Sequence, residues 1–161
     1  MGRVATPVSR SNSCVSPAPA LDGRVDLRPA LTLRTEVTMV KRVRAGERIS
    51  YGLRHQFERD TGVATLPIGY ADGVPRRLSS VGGEVLIGGR RRPIVGVVTM
   101  DQLMVDVGDD AVVAGDEAVL IGRQGDDVIT AADWAAPLDT IAYEVVCGIG
   151  PRVPRTYRPN W

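Results

Sequence analysis

Histidine, lysine and phenylalanine occur once each in this sequence, as His55, Lys41 and Phe57, and cysteine twice, as Cys14 and Cys147. One histidine cannot build a cluster of imidazole ligands, and the widely separated cysteines match no metal-ligand spacing. The expectation is therefore no metal, and two reduced thiols in a reducing compartment. Aromatic residues make up only 4% of the chain, too few for the stacking platforms of a single-strand nucleic-acid binder. Charge of one sign is also missing: 20 basic residues face 19 acidic ones, for a net charge of +1. No global field draws in nucleic acid or an anionic membrane. The sequence has neither the apolar segment of a signal peptide near its start nor a run long enough for a spanning helix. These absences predict a cytoplasmic protein with no nucleic-acid or membrane partner.

What is present fits one domain, since 161 residues suffice for one core and are short for two. Residues 1–28 are rich in Ser, Pro, Ala and Gly without periodicity and read as a disordered tail or an interdomain remnant. The compact domain is expected over residues 29–161. In "ALTLRTEVTMVKRV", Leu31, Leu33, Val37, Met39 and Val43 fall on alternate positions, the pattern of one long half-buried strand. "VATLPIG" reads as a second strand, with Pro67 marking an edge or a bulge. "EVLI" and "RRRPIVGVV" flank Gly88-Gly89, a tight-hairpin pair. "QLMVDV" and "EAVLIG" continue the β pattern, and Gln124 to Asp126 form another turn. Thr130 with Asp133 has capping-box spacing ahead of "WAAPL", and a second short helix is expected after Thr140. The fold class is all-β: a compact barrel with one or two short helices near the C-terminus.

Two of the four tyrosines, Tyr51 in "ISYG" and Tyr70 in "IGYADG", stand beside glycines. For an arbitrary tyrosine, packing of the ring would be the ordinary explanation. Likewise, "TMDQ" at Met100 and Asp101 would read as a core methionine and a turn aspartate. Arg90, Arg91 and Arg92 read as a solvated hairpin end, and His55 as a surface or supporting residue. Lys41, in the first long strand, reads as facing solvent.

Taken in order, "ISYG", "IGYADGVPRR", "VTMDQLMVDV", "VLIGRQG", "TIAYEV" and "GIGPRVPRTY" resemble the C-terminal β domain of the alanine racemase family. The colinearity runs from about residue 29 to the end. The resemblance implies an enzyme whose N-terminal barrel, absent from this sequence, holds pyridoxal 5′-phosphate on a lysine. It also implies a head-to-tail homodimer that interconverts L- and D-alanine, the supply of D-alanine for the cell wall.

By the resemblance, Tyr51 is one of two opposed bases and reaches into the partner subunit's site. Two bases are needed because a centre stripped of its proton on one face must be reprotonated on the other to invert. A phenol with the ordinary pKa of about 10 needs neighbouring cations or hydrogen bonds for this work, and in the family those lie mostly on the barrel. Tyr70 resembles the tyrosine that narrows the substrate entrance, with Asp72 and Arg76 close by. The backbone N–H of Met100 would bind the substrate carboxylate, with Asp101 supporting the turn. Tyr143 matches a tyrosine that touches the cofactor phosphate, and Arg155 a supporting arginine. The expectation is a domain inactive alone, needing a lysine-bearing barrel on another chain. Two other readings are a broad-specificity amino-acid racemase of the same fold and a non-catalytic binding or dimerisation module derived from the enzyme.

Overall fold

The computed structural model describes the backbone of residues 3–5 and the whole of residues 29–157. Among these residues twelve strands, two α-helices and several 3-10 turns follow one another. The strands are β1 (Arg3–Ala5), β2 (Thr32–Glu36), β3 (Met39–Val43), β4 (Arg48–Ile49), β5 (His55–Gln56), β6 (Thr61–Leu66), β7 (Glu84–Ile87), β8 (Arg90–Val95), β9 (Leu103–Gly108), β10 (Glu117–Gln124), β11 (Asp127–Ile129) and β12 (Arg155–Thr156). Helices α1 (Ala131–Leu138) and α2 (Ala142–Gly148) come late. The ladders join ten strands in the order β12-β1-β2-β10-β7-β8-β9-β6-β3, with β11 on β10, while β4 and β5 form a separate hairpin. Every pairing is antiparallel except β1 with β12. The all-β fold with short helices near the C-terminus is thus what the chain adopts. Of the stretch expected to be a tail, residues 6–28 lie outside the described residues, and Cys14 with them.

Period-two patterning is plain in β9. In β9, Leu103, Val105 and Val107 are buried while Met104, Asp106 and Gly108 are half-buried. The central β10 buries Ala118, Val119, Leu120 and Ile121 in succession, as a strand covered on both faces does. Leu33, Leu66, Ile68, Leu78, Leu86 and Trp134 meet in one continuous core. Burying a side chain of this size is worth about 1.5–3 kcal/mol. Helix α1 starts as its sequence demands: the Asp133 N–H donates to Thr130 Oγ1 at 3.1 Å and the Thr130 N–H to Asp133 Oδ2 at 2.7 Å. It packs on the 3-10 segment Arg76–Val81 and on α2.

Two local expectations are corrected. The long strand over residues 31–43 is two strands, because at Val37–Thr38 the backbone changes partners. Val37 N–H donates to the Asp116 carbonyl at 2.8 Å, and Thr38 N–H to the Thr65 carbonyl at 2.9 Å. The strand that holds "VATL" ends at Leu66, ahead of Pro67, and runs between β9 and β3 rather than at an edge. Its irregularity lies at Gly62/Val63. Arg90, Arg91 and Arg92 do sit at and beyond a hairpin turn, but each is paired with a carboxylate: Asp110 for Arg90 and Arg92, Asp127 and Glu84 for Arg91.

Candidate functional site

Tyr51 opens a 3-10 turn, Tyr51–Leu53, at the tip of the β4–β5 hairpin. The residue is 73% exposed. The turn is tight: Ser50, Gly52 and Leu53 have φ of 67°, 71° and 48°, values that cost non-glycine residues conformational energy. Leu53 N–H donates to the Ser50 carbonyl at 3.0 Å, and Arg48 brackets the hairpin with bonds to the Leu53 carbonyl and Gln56 Oε1. The Ser50 hydroxyl leaves the hairpin altogether. It accepts from the Val97 N–H at 2.9 Å and donates to the Val97 carbonyl at 3.3 Å.

Tyr70 opens a second 3-10 turn, Tyr70–Asp72, which also rests on the β8–β9 loop. Tyr70 N–H donates to the Thr99 carbonyl and Ala71 N–H to the Met100 carbonyl, both at 3.0 Å. Gly69 is pressed so closely that a Cβ there would lie 2.3 Å from the Thr99 oxygen. On the other side, a Cβ at Gly73, whose φ is +104°, would lie 2.4 Å from the Gly148 oxygen at the end of α2. Buried Asp72 closes its own turn by accepting from Gly69 N–H at 2.9 Å.

One seven-residue loop, Gly96 to Gln102, therefore carries both tyrosine turns. Its own tip is Met100-Asp101. Neither of these two residues donates its backbone N–H to another described residue, although the Met100 carbonyl is used. The hydroxyls of Tyr51, Tyr70 and Tyr143 likewise bond to no other described residue. Tyr51, Leu53, Tyr70 and Met100 are all exposed.

Arg152, which sequence reasoning passed over, ties the unit together. Its Nη2 donates to Asp101 Oδ1 at 2.6 Å and its Nε lies 3.4 Å from Asp72 Oδ1. The Asp101 hydrogen bond first, and the charge of Asp72 second, hold the guanidinium still further above its already high pKa. Its only sequence signal was the "PR" after "GIG". Arg155, the arginine named instead, donates to the Ile149 carbonyl at 3.0 Å and fastens the tail to the end of α2. Arg76 is exposed and lines, with Tyr70, Pro75, Leu138, Thr140 and Val145, a cleft of about 550 Å³. Tyr143 is 56% exposed in the first turn of α2. No described hydrogen bond connects it to Tyr51 or Met100. His55 sits edge-on to Phe57 with centroids 4.7 Å apart, a packing role. Lys41 is exposed on β3 opposite Val63 and does not line the Tyr70 cleft. Cys147 is a free, exposed thiol.

Among the described residues no helix is long and apolar enough to cross a membrane, and no group of three or more His, Cys, Asp or Glu is placed to hold a metal ion.

Comparison with known proteins gives the family. Residues 30–157 match the family described as "Alanine racemase, C-terminal domain". The chain is 58% identical over 142 residues to the alanine racemase of Symbiobacterium thermophilum, covering 88% of this chain and 37% of that protein. It is 50% identical over 143 residues to that of Thermobifida fusca, covering 89% and 38%. Among solved structures, alanine racemase from Bacillus anthracis with bound L-Ala-P superposes with a TM-score of 0.84 at 42% identity, over 91% of this chain and 38% of that one. The enzyme from the D-cycloserine producer Streptomyces lavendulae gives 0.83 at 47% identity, over 91% and 39%. The chain thus spans under two fifths of the length of these relatives.

Proposed function

The chain belongs to the alanine racemase family through that family's C-terminal domain, and from that premise we propose that it supplies the tyrosine base and a carboxylate contact for interconversion of L- and D-alanine. The observation that carries this reading is the Gly96–Gln102 loop, which holds the Tyr51 and Tyr70 turns while leaving the Met100 N–H and both phenol hydroxyls unengaged.

Among the described residues, one contact is proposed for pyridoxal 5′-phosphate. The single lysine of these 161 residues is on β3 opposite Val63 and does not line the Tyr70 cleft, so a barrel domain outside these residues would supply the amine that anchors the cofactor. Tyr143, exposed on α2, offers one hydroxyl donor to a phosphate. Held by that barrel, the cofactor would make the α proton of alanine acidic.

This chain's residues do the rest. The Met100 N–H, rigid because its peptide belongs to the loop that carries both turns, donates to the alanine carboxylate. Asp101, gripped by Arg152, keeps the tip of the loop in place. Tyr51 Oη takes or returns the α proton on one face, and a barrel group serves the other. Tyr70 and Arg76 border the approach and limit it to a small zwitterion.

Supplying a lysine-bearing alanine racemase barrel in trans tests the reading. Racemisation should depend on both chains and be weak, because an untethered pair lacks the effective concentration of a covalent link. Binding without any racemisation would leave a docking module and end the catalytic reading.

A further inference from the structure

Resting on the reading of Tyr51 as a base, we propose that Ser50 is a positioning residue: its hydroxyl latches the Tyr51 turn onto the loop that presents Met100, and so fixes the base against the carboxylate donor. Ser50 has φ 67° and ψ 177°, a backbone region that is essentially glycine's alone. A side chain persists there only where its surroundings over-determine it. Here the surroundings are the two hydrogen bonds to Val97, from N–H at 2.9 Å and to the carbonyl at 3.3 Å.

Gly96 completes the arrangement. With φ +76°, a Cβ at that position would come within 2.7 Å of Ser50 Cβ, so the glycine makes room for the serine. The latch spans two elements far apart in sequence and joins the residue before Tyr51 to the loop whose tip is Met100. Apart from the hairpin's own ladder, it is the hydrogen-bonded link from Tyr51's turn to that loop among the described residues. Without it the turn keeps Arg48 and the Leu53–Ser50 bond and remains folded, but its tip is no longer fixed against Met100.

Ser50→Gly separates positioning from scaffolding, because glycine relieves the backbone strain while it removes the hydroxyl. On the 161-residue chain, the expected result is an unfolding midpoint within error of the parent. Hydrogen exchange at the Val97 amide should be about tenfold faster, with Leu103 and Val105 amides unchanged, and the Tyr51 amide more mobile by heteronuclear relaxation. Ser50→Ala, which keeps the strain, should show the same Val97 change. In the complex with the barrel, Ser50→Gly should lower kcat at least about tenfold with KM within about twofold.

Unchanged Val97 exchange in Ser50→Gly overturns the latch, and an unchanged kcat alongside faster exchange overturns its positioning role. A uniform rise in exchange across the domain would make Ser50 a scaffold residue and overturn it too. If Tyr51→Phe is fully active, the reading of Tyr51 fails instead, and the Val97 exchange data stand apart from that outcome.

Discussion

Replacing Gly69 by alanine drives a methyl group between two carbonyls. The new Cβ would lie 2.3 Å from the Thr99 oxygen and 2.4 Å from the Met100 oxygen, where carbon contacts settle at about 3.5 Å or more, so the turn and the loop must part by about 1 Å. Gly69 has φ −149°, an extended angle any residue adopts, and the cost is therefore steric alone. Separation stretches the bonds from Tyr70 and Ala71 N–H to that loop, both 3.0 Å. Losing them costs about 1 kcal/mol each, and overpacking adds about 1–3 kcal/mol, for a total of about 3–5 kcal/mol. Gly82→Ala is the contrast: φ is +78° and nothing lies within 4 Å, so only the left-handed backbone penalty of about 1–2 kcal/mol applies. Urea unfolding followed by fluorescence of buried Trp134 reads both. With m of about 2 kcal/mol/M, the midpoint should fall by about 2 M for Gly69→Ala and by less than 1 M for Gly82→Ala. A Gly69→Ala midpoint no lower than that of Gly82→Ala would refute the claim that the Tyr70 turn is clamped to the Met100 loop.

Four further outcomes are expected. Asp72→Ala should destabilise by about 1.5–3 kcal/mol, since it removes the buried carboxylate that accepts the Gly69 N–H. Arg152→Gln, which loses exposed pairs, should cost no more than about 1 kcal/mol in the same urea titration. Asp110 and Asp127 are held below the usual carboxylate range, chiefly by hydrogen bonds from Arg92 and Arg91. Their folded pKa values lie below the unfolded ones, so their stabilisation is present above about pH 4 and is lost as pH falls through the lowered values. The doubly amidated variant, Asp110→Asn with Asp127→Asn, should show a flatter acid limb in pH-dependent unfolding. Incubation of the chain with pyridoxal 5′-phosphate, followed by borohydride trapping, should give no stoichiometric adduct on Lys41 by peptide mass, and an untrapped portion should show no racemisation.

Local chemistry was legible in the sequence. Thr130 and Asp133 announced α1 because a capping box is closed within four residues, and Gly88-Gly89 announced the β7–β8 hairpin because two positive φ angles, 63° and 71°, favour glycine. What escaped depends on groups far along the chain. The break between β2 and β3 is made by the carbonyls of Asp116 and Thr65, which no pattern within residues 31–43 contains. Ser50 meets Val97 and Arg152 meets Asp101 only once the sheet has brought them together. Tyr51, Tyr70 and Met100 came from the family resemblance, since periodicity marks buried positions and these three are exposed.

Deuterium exchange at the α carbon in the trans-assembled complex tests the central claim most directly, comparing Tyr51 with Tyr51→Phe, which removes one hydroxyl that bonds to no other described residue. The account predicts that the variant still exchanges the α proton of D-alanine at the barrel's base, while conversion of L- to D-alanine in D₂O collapses by at least about a hundredfold, the scale of a lost general base. Racemisation by Tyr51→Phe at the parent rate in both directions would contradict it.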